Sequence, residues 1–256
     1  LTNHLFTRDA SCWIRGGVSE NSMRHTVRRR EAVHYRAIYR WHPLFAGLDF
    51  PIWTDGIESG LATMEGGDVL VGSSDSLLIG LSERTSPQAV ERLALRLFAA
   101  GEISRILAIR LPRRRAFMHL DTVLTMADVD TFMKYEGLGE PETFLIEPGD
   151  ARHPLRITPQ SVDFAGALAV AIGLPSARVL TTTQDVYAAE RDQWNDGCNL
   201  LAVRPGVVVA YERNSSSIAY LRSHGIEVIE VPGSELGRGR GGPRCMSCPI
   251  EREEPR

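Results

Sequence analysis

The sequence predicts an α/β protein built radially from repeated units of two strands, a helix and a third strand. Short apolar runs pair around turn residues, each pair is followed by a stretch with helical spacing, and a further apolar run closes the unit. This order recurs four times along the 256 residues, which points to a repeat architecture.

The clearest unit begins at Asp68, where DVLVGSSDSLLIGLS reads as two strands around a Gly-Ser-Ser-Asp-Ser turn. SPQAVERLALRLFAAG follows as a helix, with Ser86 as N-cap, Pro87 at the first position and Gly101 at the end, and ILAIRLP closes the unit. A second unit runs from HLDTVLTMADVDTFMKY through a helix at SVDFAGALAVAIGL to a strand at RVLTTT, with a polar insertion around Glu136 to Thr158. The third comprises NLLAVRPGVVVAYERN, a helix near SSSIAYLRSHG and the strand IEVIEVP. Nearest the N-terminus is the loosest copy, made of FTRDASCWIRG, a basic helix MRHTVRRREAVHYRAIYRWH and a strand near Phe50 to Trp53.

A chain of this length with 43% hydrophobic residues can bury a large core. The 29 Lys and Arg residues nearly balance 32 Asp and Glu, and the basic ones form no long stripe, so nucleic acid and membrane surfaces are not the expected partners. No apolar run approaches the ~18 residues needed to span a bilayer. Four cysteines are sparse for a secreted disulfide framework, which favours a reducing, cytoplasmic setting. The opening on Leu1 rather than Met fits a processed or truncated piece of something longer.

Several constellations carry chemical potential. Cys245 follows a glycine-rich loop in GRGRGGPRCMSCPI, beside Arg244 and close in sequence to Arg238 and Arg240. Neighbouring cations lower a thiol's pKa and glycines admit close backbone approach, so a reactive thiolate is expected here. A redox pair with Cys248, half of a zinc site and a short RNA-binding tail compete for the same residues. His119 and Asp121 lie two apart in FMHLDTVLT, a strand-like stretch, so alternation sends both to one face, although a strand-end histidine beside a surface aspartate serves equally. Glu65 and Asp68 bracket two glycines in MEGGD, where turn chemistry is the plainer account, and Arg8 with Asp9 in LFTRDA fits a surface ion pair.

Taken together, LFTRDA, MEGGD, GLSERTS, HLDTVLT and GGPRCMSCP, in this order between Asn3 and Ile250, closely resemble the arginine deiminase family of guanidino-modifying enzymes. The resemblance implies the pentein fold, a five-fold pseudo-symmetric α/β propeller of ββαβ units with the active site in its central channel. Only four units are legible, and the family is longer at its N-terminus. The chain 1–256 is therefore expected to be one catalytic propeller domain that lacks the N-terminal unit and a helical insertion.

Carried over residue by residue, the resemblance makes Cys245 the nucleophile, His119 the general acid and base, and Glu65 its carboxylate partner. It makes Asp9 and Asp121 the pair that grips the guanidinium. Asn3, Arg28 and Arg84 fall where the family binds the substrate carboxylate, and Phe6 and Gly239 where backbone meets the α-amino group. The implied reaction converts L-arginine to L-citrulline and ammonia through a cysteine thiouronium, with no metal or organic cofactor. Related hydrolases of agmatine, methylarginine or peptidyl-arginine, and a catalytically silent fragment, remain alternatives, and a homo-oligomer remains open.

Overall fold

The computed structural model describes residues 2–182 and 185–253. A short helix α1 (Thr7–Ala10) leads into the antiparallel pair β1 (Ser11–Ile14) and β2 (Gly17–Glu20), then the long helix α2 (Thr26–Trp41). The expected strand near Phe50 to Trp53 is reduced to one parallel bridge, Val18 to Ile52. Its backbone still binds like a strand, because Val18 donates to Pro51 and Trp53 donates to Val18.

The next unit is complete. β3 (Val69–Ser73) and β4 (Ser76–Leu81) are antiparallel, α3 (Pro87–Ala99) crosses over, and β5 (Arg105–Arg110) returns parallel to β4. Ser86 caps α3 by accepting from the Ala89 N–H, and Gly101 takes φ +70 beyond its end. β6 (Leu124–Met126) and β7 (Thr131–Lys134) open the following unit. Before that unit resumes, a hairpin of β8 (Thr143–Pro148) and β9 (Leu155–Pro159) leaves it and pairs through β8 with β5. The stretch read as a polar insertion is thus the outer part of a five-stranded sheet, β3-β4-β5-β8-β9.

Helix α4 (Phe164–Ile172), capped by Asp163 and stopped at the left-handed Gly173, then leads to β10 (Arg178–Leu180), parallel to β7. β10 is shorter than RVLTTT suggested, and Thr183 lies outside the described residues. A helix not foreseen, α5 (Val186–Trp194), begins at the Asp185 N-cap; it buries Ala189, Asp192 and Gln193, too few apolar residues to announce itself. The last unit matches expectation, with β11 (Leu201–Arg204) antiparallel to β12 (Val207–Tyr211), α6 (Ser215–Ser223), and β13 (Glu227–Val231) parallel to β12.

The result is an α/β fold with four separate mixed or antiparallel sheets among the described residues. The strands β3, β4 and β5 of the five-stranded sheet are buried on both faces. Leu77, Ile79 and Ile106 pack with Val90, Leu93 and Leu97 of α3 on one side, while Leu70, Leu78 and Leu107 pack on the other against Leu120, Val123, Phe164 and Leu168. Units are therefore joined by apolar side chains, and the second layer fixes the 119–123 segment firmly to the sheet. Among the described residues no helix is long and apolar enough to cross a membrane.

Leu93 is fully buried in α3, whereas Leu95 on the same helix is exposed. Leu93→Ala is expected to cost about 2–5 kcal/mol in a denaturant titration, and Leu95→Ala under about 0.5 kcal/mol. Equal costs would contradict the packing described.

Candidate active site

A cavity of about 230 Å³ opens among the loops that connect these units, with Asp9, His119 and Cys245 on its wall. Asn3 and Phe6 line it from the N-terminal segment, Arg28 from α2, Arg84 from the loop after β4, and Gly239 from the glycine-rich loop. Glu65 and Asp121 lie just behind it, both fully buried. All ten residues singled out from the sequence thus gather in one place.

The turn chemistry of MEGGD explains the geometry. Glu65 precedes a tight turn over Gly66–Asp68; a Cβ on Gly66 would sit 2.0 Å from the Arg8 carbonyl oxygen, and one on Gly67 would sit 2.7 Å from His119 Nδ1. Two glycines are needed because backbone and imidazole both press against this turn. Asp68 then accepts from Ser82 Oγ at 2.7 Å, Thr85 Oγ1 at 2.6 Å and the Leu120 N–H at 2.9 Å. That last bond changes the expected shape of FMHLDTVLT: Leu120–Thr122 is a 3-10 turn and not a strand. His119 reaches the cavity wall, with Asp121 behind it, from a turn in which Asp68 pins the amide between them, and not from an alternating strand.

His119 lies between two carboxylates, with Nε2 2.8 Å from Glu65 Oε2 and Nδ1 3.6 Å from Asp9 Oδ1. Burial works against its charged form, but Asp9, Glu65 and Asp68 outweigh it and hold the imidazole up at about 10. Burial likewise opposes charge on Glu65, yet His119, Arg84 and Arg28 bring that carboxyl down to about 2. Asp68 is the exception, since burial dominates and raises it to about 7.

The arginines spend their donors within the site. Arg28 Nη1 donates to Asp9 Oδ2 at 2.7 Å and the same guanidinium forks onto Glu31, while Arg84 Nη1 donates to Glu65 Oε2 at 3.0 Å. Arg8 and Asp9 are buried, so the surface ion pair suggested by LFTRDA does not exist; Arg8 bonds the Arg244 carbonyl and Ser247 instead. Arg244 Nη1 donates to Asp121 Oδ2 at 2.6 Å. The cations expected to activate the thiol are thus engaged elsewhere, and burial together with Asp121, Asp9 and Asp196 pushes Cys245 upward. This corrects the sequence expectation of a depressed thiol.

One oxygen on each aspartate is left over. Asp9 Oδ1 and Asp121 Oδ1 are both buried with no hydrogen-bond partner. Orphaned carboxylate oxygens in a site that also holds a thiol suit a planar cation that supplies its own N–H groups. A metal ion fits less well: donor atoms of Asp9, Glu65 and His119 lie within 4.8 Å of one another, but both carboxylates already meet guanidinium groups and the imidazole is held protonated.

Cys245 and Cys248 are both free thiols, and Cys248 turns away to Ser11, with its Sγ 3.4 Å from the Ser11 carbonyl oxygen. One site residue escaped the sequence reading. Asn199 is fully buried, accepts the Cys245 N–H through Oδ1 at 3.1 Å, and donates from Nδ2 to Cys245 Sγ at 3.1 Å and to the Asp121 carbonyl oxygen at 2.9 Å.

Comparisons with known proteins identify the family and the fold. A family model described as arginine deiminase matches residues 1–252. Among solved structures, the N-terminal domain of ArgZ, a cyanobacterial arginine dihydrolase of the ornithine-ammonia cycle, is a substrate-bound mutant that superposes with TM-score 0.69 at 17% identity. That match covers 99% of this chain and 77% of the other. A mutant of AgrE in complex with L-arginine gives TM-score 0.67 at 17% identity, covering 99% of this chain and 31% of that one. DDAH from Pseudomonas aeruginosa, a mutant complexed with citrulline, gives 0.63 at 16% identity, covering 96% and 76%. These likenesses concern the fold, and this chain spans about a third of the length of AgrE.

Because His119 rises from 6.5 to about 10 on folding, its contribution to stability is full below about pH 6.5 and is lost as pH rises through about 10. His119→Gln is expected to flatten this alkaline loss in denaturant midpoints measured between pH 6 and 10. An unchanged slope would mean that the histidine is not held charged in the fold.

Proposed function

The chain belongs to the arginine deiminase family, and from that premise we propose that it hydrolyses L-arginine to L-citrulline and ammonia with Cys245 as nucleophile. The observation that carries the reading is the pair of unsatisfied oxygens, Asp9 Oδ1 and Asp121 Oδ1, on two buried aspartates whose charges reach the thiol, with Asp9 on the same cavity wall as Cys245 and His119.

A guanidinium stays protonated throughout the physiological range, so its burial requires carboxylates. Bound to the two free oxygens, it would present its carbon to Cys245 Sγ and place a positive charge where the aspartates now oppose thiol ionisation. The thiol then loses its proton to solvent. The thiolate adds to the carbon, His119 gives its proton to a departing nitrogen, and the C–N bond breaks to leave a thiouronium and ammonia. Water adds next, with its proton passing to His119; the C–S bond breaks, and the remaining proton leaves with ammonia as ammonium. Glu65 keeps the imidazole charged for the first half and oriented for the second.

Asn3, Arg28 and Arg84 at the cavity would meet the substrate carboxylate, with the Phe6 and Gly239 backbone at its α-amino group. The prior engagement of Arg28 with Asp9 and Arg84 with Glu65 favours a second reading, a guanidino substrate that lacks the carboxylate. The four ββαβ units are read as blades of an α/β propeller around this cavity, and the free cysteines accord with a cytoplasmic setting.

Citrulline formation by the purified chain, with L-arginine and agmatine as rival substrates, separates these readings. Cys245→Ser is expected to abolish turnover while Cys248→Ser keeps most of it; equal losses would discard the nucleophile assignment. His119→Ala should lower kcat by ~10²- to 10⁴-fold, since it removes proton transfer.

A further inference from the structure

We infer that Asn199 serves the reaction directly, its carboxamide holding the Cys245 backbone with one end and donating a hydrogen bond to Sγ with the other, so that the sulfur is aimed and its thiolate form stabilised. The inference rests on Cys245 being the nucleophile.

The orientation of the amide is determined by its partners. Oδ1 faces the Cys245 N–H, a donor, while Nδ2 faces the Asp121 carbonyl oxygen, an acceptor. Turning the amide over would oppose donor to donor and acceptor to acceptor, at full desolvation cost in a site with no exposure. Nδ2 therefore carries the N–H that reaches Sγ at 3.1 Å. On another side of the sulfur, Asp121 Oδ2 stands 3.7 Å away, and a carboxylate there disfavours negative sulfur. Asn199 supplies an opposing influence through its N–H on the sulfur, beside that of the Gly242 backbone.

Local structure is arranged around this contact. Asn199 donates its own N–H to the Asp196 carbonyl, at a turn where Asp196 takes φ +61, just ahead of β11. From the other side, the glycine-rich loop makes room: a Cβ on Gly242 would lie 2.6 Å from Asn199 Oδ1. Gly242 is thus needed for the amide to approach the nucleophile's backbone.

The bond is strongest to a charged sulfur and weak to a thiouronium sulfur, which carries no negative charge. Asn199 accordingly favours the thiolate twice, when it attacks and when it departs as the C–S bond breaks. A hydrogen bond to an ionised group shifts a thiol by about one to two pH units. Because nucleophilicity falls with thiol pKa at a Brønsted slope of about 0.4–0.5, roughly half of that shift survives as a gain in rate, about 3- to 10-fold.

The test measures Cys245 alkylation by iodoacetamide as a function of pH, in a Cys248→Ser background and with the labelled residue identified by mass spectrometry. N199A and the isosteric N199D remove the donor, and G242A displaces the amide without removing it. The midpoint of alkylation should rise by at least about one pH unit in each folded variant, most in N199D, where a carboxylate faces the sulfur. In N199A, kcat/KM should fall with KM little changed. Unchanged midpoints in the folded variants would overturn the role of Asn199 while leaving the nucleophile in place. Failure of the parent protein to label at Cys245 would instead sink the nucleophile assignment itself.

Discussion

The site depends on keeping several carboxylates ionised away from water. Asp9, Glu65 and Asp121 are all buried, and each meets a guanidinium from a different part of the chain, namely Arg28, Arg84 and Arg244. An isolated buried carboxylate would take up a proton, as burial pushes Asp68 to do. His119, Arg84 and Arg28 bring Glu65 down, and the charges of Asp9, Glu65 and Asp68 in turn hold His119 up. In the proposed reaction, cation binding and proton donation would both draw on this one electrostatic arrangement.

This arrangement explains how much was legible in the sequence. Taken singly, the candidate residues had plain readings as well, a strand-end histidine beside an aspartate or a carboxylate at a glycine turn, and only the five motifs together singled them out. Their gathering could be expected only through the resemblance, since Cys245 and His119 come from distant segments. The partners of Arg28 and Arg84 were hidden, because an arginine in a basic helix carries no sign that its counter-ion lies 19 residues upstream. Asn199 was silent for the same reason: an asparagine before a strand is usually a turn residue, and its contact with Cys245 spans 46 positions.

The fold was legible where local rules sufficed. Ser86, Pro87 and Gly101 delimited α3 correctly, and α4 lies within the stretch SVDFAGALAVAIGL read as a helix. It was misread where a distant partner overrode local pattern. FMHLDTVLT alternates like a strand, yet Asp68 claims the Leu120 amide and turns it. The segment from Glu136 to Thr158 looked like an insertion because its partner strand, β5, belongs to the preceding unit.

That hairpin has a consequence for how the molecule folds. In a simple array each repeat touches only its neighbours and its own sheet is finished before the next begins. Here the sheet of β3, β4 and β5 is completed by β8 and β9, which arrive only after β6 and β7 have passed. The two central units are threaded through each other and must order together. Their non-local pairing slows the search for the native state, and in return neither unit can open alone to expose the strands and the 119–123 turn between them.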